Sequence, residues 1–269
     1  MRFASKRVEH DAEHAIKDME VIMKILALTL GVVAVIVVAS SAADARLSID
    51  IESGMVGSLY NDVRIPGDTG TDFSLTDDLE TDSAPFFRAR VTYTLSDRHT
   101  FSALYAPLTL EAEGVAPGDI AYEGETFPEG SRLNGSYTFN SYRLTYRYEF
   151  TPRGKWSYGL GFTGKIRDAE IKVESDELSS SKTNVGFVPL LNFRVRYDVS
   201  DRLALSLEGD ALAAPQGRAE DVLLAVHYGL TDSVELRGGY RLVEGGADND
   251  EVYNFAYLSY ASLGLTVTF

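Results

Sequence analysis

Apolar and polar residues alternate with a period of two over most of the chain from residue 46 onward. The clearest stretch is 142–150, where every even position is aromatic or leucine and the odd positions include Arg143 and Arg147. A period of two is that of a β-strand, whose successive side chains point to opposite faces. An arginine that faces lipid at mid-depth costs about 2–4 kcal/mol. The alternation therefore predicts strands with an apolar face toward lipid and a polar face toward an enclosed lumen.

This pattern predicts an all-β fold, an antiparallel up-and-down transmembrane β-barrel with ten strands. Segments 46–59 and 99–112 alternate poorly, so eight and twelve strands are the alternatives. An even number brings both ends of the barrel to the same side of the membrane. The predicted strands are 46–59, 83–95, 99–112, 136–150, 155–172, 183–199, 202–212, 219–230, 234–244 and 252–269.

The connections between these segments are of two lengths. Short ones cover 96–98, 151–154, 200–202 and 231–233, and a tyrosine stands three residues before the Ser or Thr of each. This placement is typical of an aromatic girdle at a membrane interface, followed by a tight turn. Longer ones, which carry most of the excess acidic residues, cover 61–82, 113–135, 173–182, 213–218 and 245–251. Short periplasmic turns and longer extracellular loops are typical of bacterial barrels.

Charged residues occupy the polar faces of the predicted strands, where they should line the lumen. Basic residues come mainly from the second to sixth strands and acidic ones from the seventh, eighth and first, so a basic wall faces a more acidic one. Two interpretations follow, a salt-bridged core that fills a narrow barrel or a small water-filled pore. The predicted lumen-lining charges are Arg88, Arg90, Arg143, Arg147, Lys165, Arg167, Arg194, Arg196, Glu208, Asp210 and Asp221.

The N-terminal part has the features of an export signal. Lys24 precedes a continuously apolar segment at 25–39, and Ala43-Asp44-Ala45 follows it. A basic residue, an apolar run and a small-x-small site indicate a secretory signal peptide, here 23–45, although a transmembrane anchor is the alternative. The barrel domain would then cover 46–269. Residues 1–22 are polar and charged, and we interpret them as an upstream extension or an incorrectly assigned start, with translation beginning at Met23.

Composition argues against several kinds of chemistry. The chain has no cysteine, which removes thiol catalysis and thiolate metal sites, and its net charge of −15 disfavours nucleic-acid binding. The acidic runs 77–80 and 248–251 lack the full spacing of a calcium loop. His99 and His227 both lie next to short turns, away from the presumed extracellular rim. We therefore expect no catalytic site, no metal site and no cofactor.

The signal peptide, the Tyr-rich hairpins and the terminal Thr266-Val267-Thr268-Phe269 resemble those of the small outer-membrane β-barrel proteins of Gram-negative bacteria. The resemblance covers 46–269 and implies the outer membrane as location, with its lipids and lipopolysaccharide as surroundings. In that class an aromatic last residue serves recognition by the barrel assembly machinery, and the resemblance implies this role for Phe269. It implies no activity.

Three functions are consistent with this pattern. The first is a barrel without a catalytic site, with a structural or surface-contact role, and the second is a narrow porin-like channel for small polar solutes. The third is a lipid-modifying enzyme, which would need Ser and His near one rim facing lipid. Because His227 alternates with Val226 and Tyr228, it should face inward. We expect the first function.

Overall fold

The computed structural model describes residues 45–214 and 217–269, and the regular elements in them are β-strands. In this part of the chain no helix is long and apolar enough to cross a membrane. The predicted signal peptide, apart from Ala45, and the segment before it lie outside the described residues. The strands are β1 (Ala45–Arg64), β2 (Phe73–Ser74), β3 (Leu79–Thr81), β4 (Ala84–Leu95), β5 (His99–Ala106), β6 (Thr109–Val115), β7 (Ile120–Tyr122), β8 (Glu125–Phe127), β9 (Arg132–Glu149), β10 (Trp156–Glu174), β11 (Ser179–Asp198), β12 (Leu203–Ala214), β13 (Gly217–Gly229), β14 (Val234–Asp248) and β15 (Tyr253–Thr268).

Ten of the described strands close into one barrel. Their order around the ring is β1, β4, β5 and then β9 to β15, and β15 pairs back with β1. The turns after β4, β9, β11 and β13 lie at one end of the barrel, here called the turn end. The long connections after β1 and β6 lie at the other, called the loop end. The predicted all-β, up-and-down barrel of ten strands is confirmed.

The outer face of the barrel is a belt of apolar side chains. Phe162, Leu224 and Leu263 are 68%, 60% and 72% exposed, respectively. Aromatic rings gather on this face at the turn end, where the Trp156 and Tyr197 ring centroids lie 4.7 Å apart. Exposing so much apolar surface to water would be unfavourable, whereas lipid accepts it. The barrel wall is therefore built to face a membrane.

The prediction of a single strand at 99–112 was wrong, because β5 and β6 are separate strands that both pair with β9. In β5 the apolar Phe101 points outward and is 46% exposed. In β6 the pattern reverses, with Leu110 buried and Glu111 exposed. A strand beyond the lipid has water outside and protein inside, so its apolar residues turn inward. This reversal explains why the segment alternates poorly in sequence.

The first strand alternates poorly for a different reason. Strand β1 is longer than the predicted 46–59, and its register against β15 shifts between Ser58 and Tyr60. A bulge places one extra residue in the strand and exchanges its two faces. Before the shift Val56 is buried, and after it Asn61 and Val63 are buried. The inward positions thus change from even to odd within one strand.

Three predicted loops, 173–182, 213–218 and 245–251, are mostly strand in the structure. Strands β10 and β11 stay paired as far as Glu174 and Ser179, and β13 and β14 as far as Gly217 and Ala247. Polar residues there resemble loop sequence, but backbone pairing needs no apolar face once the strands have left the lipid.

The predicted loops 61–82 and 113–135 also contain strands, and with their neighbours they fold over the loop end. We call residues 65–83 and 107–131 the cap. The Tyr122 hydroxyl donates to the Ile171 carbonyl at 2.7 Å, and the Glu123 amide to the Ile65 carbonyl at 3.0 Å. Burial raises the pKa of the Tyr122 hydroxyl. The cap and the barrel wall share one apolar cluster, which includes Val63, Ile65, Phe73, Leu75, Leu79, Leu110, Ile120, Tyr122, Phe127, Leu133, Ile171 and Leu258.

Candidate functional site

Asp221 of β13 is the centre of an ionic network in the middle of the lumen. Its carboxylate forms ion pairs with the guanidinium groups of Arg88 at 2.8 Å and Arg143 at 2.7 Å, and also with that of Arg241. These three arginines come from β4, β9 and β14. In the ring of ten strands, β9 and β13 stand four places apart. A single carboxylate therefore joins walls on nearly opposite sides of the barrel.

Two further carboxylates balance the charge around Asp221. Asp210 accepts from Arg143 at 2.8 Å. Glu52 accepts from Arg241 at 2.8 Å and from Arg237 at 2.8 Å. A buried charge is costly unless it is paired and hydrogen-bonded. The network meets this condition, because each of the named arginines contacts a carboxylate.

Ion pairs continue from this centre toward the turn end. Arg90 lies 3.8 Å from Glu208, which joins β4 to β12, five places away in the ring. The Glu149 carboxylate accepts hydrogen bonds from the guanidinium groups of Arg147 at 2.6 Å and Arg194 at 3.1 Å. The lumen is thus crossed by side chains at several levels.

The residues predicted to line the lumen fall into two groups. Lys165 and Arg167, both on β10, have no carboxylate within ion-pair distance among the described residues. The others are ion-paired: Arg88, Arg90, Arg143, Arg147, Arg194, Arg196, Glu208, Asp210 and Asp221.

The network also contains three further charged residues of β1 and β14. Alternation along β1 and β14 gives Glu52, Arg237 and Arg241 inward positions, but it does not reveal their partners. Phe269 is 70% exposed, and its amide donates to the Leu47 carbonyl at 2.8 Å. Its role in assembly stays a prediction.

A chain of three side chains near the turn end has the order of a hydrolase triad. Ser206 Oγ lies 2.7 Å from His227 Nε2, and His227 Nδ1 lies 2.7 Å from Glu235. His227 faces inward, as the alternation indicates, and is buried. Ser206 is paired on both sides, with Arg196 of β11 and Ala225 of β13. The backbone amides around it are therefore engaged in the sheet, and an oxyanion would find no free donors there. This geometry suits a structural hydrogen-bond chain.

A chamber of about 450 Å³ lies inside the barrel wall toward the loop end. Its walls are mostly apolar, with Tyr137, Ile171, Val188, Leu212 and Leu258 among the lining residues. The chamber also receives the side chains of Lys165 and Arg167. Its volume lies within the range of ~300–1,000 Å³ that is usual for small-molecule sites. It is the best candidate for a binding site in the described residues.

The described residues hold no group of three or more His, Asp or Glu side chains that could bind a metal ion. The acidic run at 77–80 lies on the cap, where Asp77, Asp78 and Glu80 are exposed and Leu79 is buried. The carboxylates thus cover the outside of the cap while its apolar residues fill the inside.

No model of a protein family matches the chain, and no curated protein matches it. Solved structures do resemble it in fold. The outer membrane protease OmpT from Escherichia coli is 10% identical with a TM-score of 0.49, over 83% of this chain and 97% of that one. Ail, the attachment invasion locus protein of Yersinia pestis, is 10% identical with a TM-score of 0.41, over 84% and 99%. Neisserial surface protein A is 16% identical with a TM-score of 0.31, over 84% and 97%. At this level the likeness concerns the barrel fold and carries no activity over to this chain.

Proposed function

We propose that this protein is an integral outer-membrane barrel whose lumen is closed to solutes and whose role is structural or surface contact. The observation that carries the proposal is the ionic network around Asp221, which joins β4, β9 and β14 through the centre of the lumen. Above it, the cap covers the loop end with an apolar cluster that it shares with the barrel wall. A solute would have to pass both obstacles.

The strength of the ion pairs supports a permanent closure. Each buried pair is held by hydrogen bonds as well as by charge, and separating its members inside the barrel leaves two desolvated charges unmatched. A path through the lumen requires several such pairs to separate together. Thermal opening of this kind would be rare, so the barrel should remain shut without a dedicated trigger.

The outer surfaces support a role in contact with surroundings. The apolar belt would contact the lipids and lipopolysaccharide of the outer membrane, after insertion by the barrel assembly machinery. With the loop end outside the cell, the exposed carboxylates of the cap, such as Asp77 and Glu111, would face the medium. The protein would then present an acidic surface to the medium on a barrel that is closed to solutes.

Single-channel recording in planar bilayers tests the closed lumen. The wild-type barrel should insert and remain silent in concentrated salt. The alternative is the narrow channel for small polar solutes, which would give conductance steps. Steps that change with Arg143→Ala but not with Arg218→Ala would establish that channel and refute the closed barrel. Arg218 is the matched control, since it pairs with Glu244 and is partly exposed.

The enzymatic alternative has its own test. Lipid or peptide turnover by the purified barrel that is lost in His227→Ala would show that the Ser206–His227–Glu235 chain is catalytic. We expect no turnover in either protein, because Ser206 lies in a fully paired strand segment.

A further inference from the structure

We propose that the loop-end chamber is a binding site for an amphipathic carboxylate, a molecule with a hydrocarbon body and one anionic head, which reaches the chamber through a seam between β11 and β12. The inference is independent of the closed lumen, because either a closed or a conducting barrel could hold such a ligand.

Two of the cations that line the chamber, Lys165 and Arg167, carry the first part of the argument. Lys165 is 3% exposed, and its ammonium lies 4.4 Å from the centre of the Phe139 ring. Among the described residues it has no ion-pair partner. On the same face of β10, Arg167 donates to Asn184, while its Nε is buried without a hydrogen-bond partner. Buried charges in proteins are normally matched. An anionic group between these two side chains would supply the missing partner.

The carboxylates at the chamber do not fill this role. Glu244 is already bound by Arg218 and by the Tyr60 hydroxyl. Glu170 and Glu251, which also border the chamber, form no ion pair with Lys165 or Arg167 among the described residues. Lys182, another cation at the chamber, is paired with Glu123 at 3.1 Å. The unmatched positive charge therefore belongs to Lys165 and Arg167.

The pairing of the wall carries the second part. Strands β11 and β12 pair from Asp198↔Ala204 to Leu191↔Ala211, and among the described residues they pair no further. Strand β11 nevertheless continues to Ser179, and among the described residues the backbone of this stretch pairs with β10 alone. Pro189 stands two residues beyond the last pair, and proline is confined to strand edges because it has no amide hydrogen. The wall is thus open along this seam.

The seam connects the chamber with the upper edge of the apolar belt. Val188 and Pro189 line the chamber from β11, and Leu212 and Ala214 line it from β12. On the outer face beside the seam, Phe187 is 67% exposed. A ligand in the outer part of a membrane would meet apolar surface outside, an apolar chamber inside and two cations at its wall. This sequence of surroundings fits a hydrocarbon body with a carboxylate head.

Equilibrium binding of radiolabelled decanoate to the full chain in phosphatidylcholine nanodiscs tests the site, with empty nanodiscs subtracted. The wild type should bind one decanoate saturably and should bind decanol, which has no charge, much more weakly. Replacing both cations (K165M with R167Q) should weaken decanoate binding about a hundredfold, or about tenfold for each charge-assisted contact. Lys172→Met is the matched control, on the same strand but already paired with Glu174, and it should bind like the wild type.

The double variant should fold, because it removes buried charge that lacks a partner. Its folding can be checked by the shift in gel mobility on heating, and Lys165→Arg, which keeps the charge, should retain binding. Equal decanoate affinity in wild type and double variant would refute the site. Absence of saturable binding to the wild type, or decanol bound as tightly as decanoate, would refute it as well.

A second pair of variants tests the route. Ala214→Trp places a bulky ring at the chamber side of the seam, whereas Ala213→Trp places it on the outer face of the same strand. Ala214→Trp should slow decanoate association at least several-fold, and Ala213→Trp should leave the rate unchanged. Equal association rates in the two variants would refute access through the seam.

Discussion

Single residues in the lumen differ in how fully their charge is matched. This difference distinguishes residues with a structural role from candidates for ligand binding. Asp221 touches three arginines and Asp210 accepts from Arg143, Thr163 and Asn192. The Lys165 ammonium lies over the Phe139 ring and has no carboxylate within ion-pair distance among the described residues. Matched groups are held in place by several bonds, so they suit a permanent role. An unmatched buried cation is costly for the folded protein alone, and it becomes favourable when an anion arrives.

Asp221→Asn should destabilise the barrel by about 3–5 kcal/mol, because it leaves buried arginines without their shared counter-charge. The comparison is Glu244→Gln, which removes one partner of the exposed Arg218 and should cost at most about 1 kcal/mol. Equilibrium unfolding in urea, monitored by tryptophan fluorescence in micelles or vesicles, measures both. Similar losses in the two variants would mean that the central network contributes no more than a surface pair.

At the scale of strands and hairpins, the period of two predicts the barrel well wherever one environment covers a whole strand. Strands β9 to β15 have lipid outside over most of their length, and their predicted positions are close to the observed ones. The prediction fails where the environment changes along a strand. At β5 and β6 the faces reverse on leaving the lipid, and in β1 a bulge exchanges them.

The pairing of lumen charges could not be predicted in the same way. Alternation says which residues point inward, but Arg143 and Asp221 are 78 positions apart in sequence, and they meet because of the order and stagger of the strands. That stagger depends on the barrel shear, which sequence periodicity does not contain. The chamber and its seam were beyond sequence reasoning too, since they depend on where β11 and β12 stop pairing.

The cap should behave as a separate layer of the structure. Leu110→Ala removes part of a side chain that is 1% exposed in the apolar cluster and should weaken the cap by about 2–5 kcal/mol. Glu111→Ala, on the exposed face of the same strand, should change little. Hydrogen exchange followed by mass spectrometry should show faster exchange in 109–127 for Leu110→Ala, with the strands at the turn end unaffected. Uniformly faster exchange over the whole barrel would contradict a separate layer.

At the scale of the whole molecule, inside and outside follow opposite profiles along the barrel axis. The outer face is apolar across the belt and polar at the loop end, where Glu111 and Glu113 are exposed. The inner face is charged around Asp221 and apolar under the cap. At the depth of the charged core around Asp221, the outer face of the barrel is therefore suited to lipid. At the depth of the apolar core under the cap, the outer face is suited to water. The depth of a residue in the membrane should then decide how well its outer face tolerates charge.

An arginine placed at two depths on the outer face of β13 measures this profile. Leu224 is 60% exposed in the belt, paired with Leu207 and Tyr240, and Leu224→Arg should cost about 2–4 kcal/mol because it places a cation in the hydrocarbon region. Glu220 lies on the same face four residues nearer the loop end, and Glu220→Arg should cost about 0–1 kcal/mol, as expected near the interface. Urea unfolding in lipid vesicles gives both values. Equal costs at the two positions would mean that lipid does not surround β13 at the level of Leu224. The belt would then have to be covered by another protein surface.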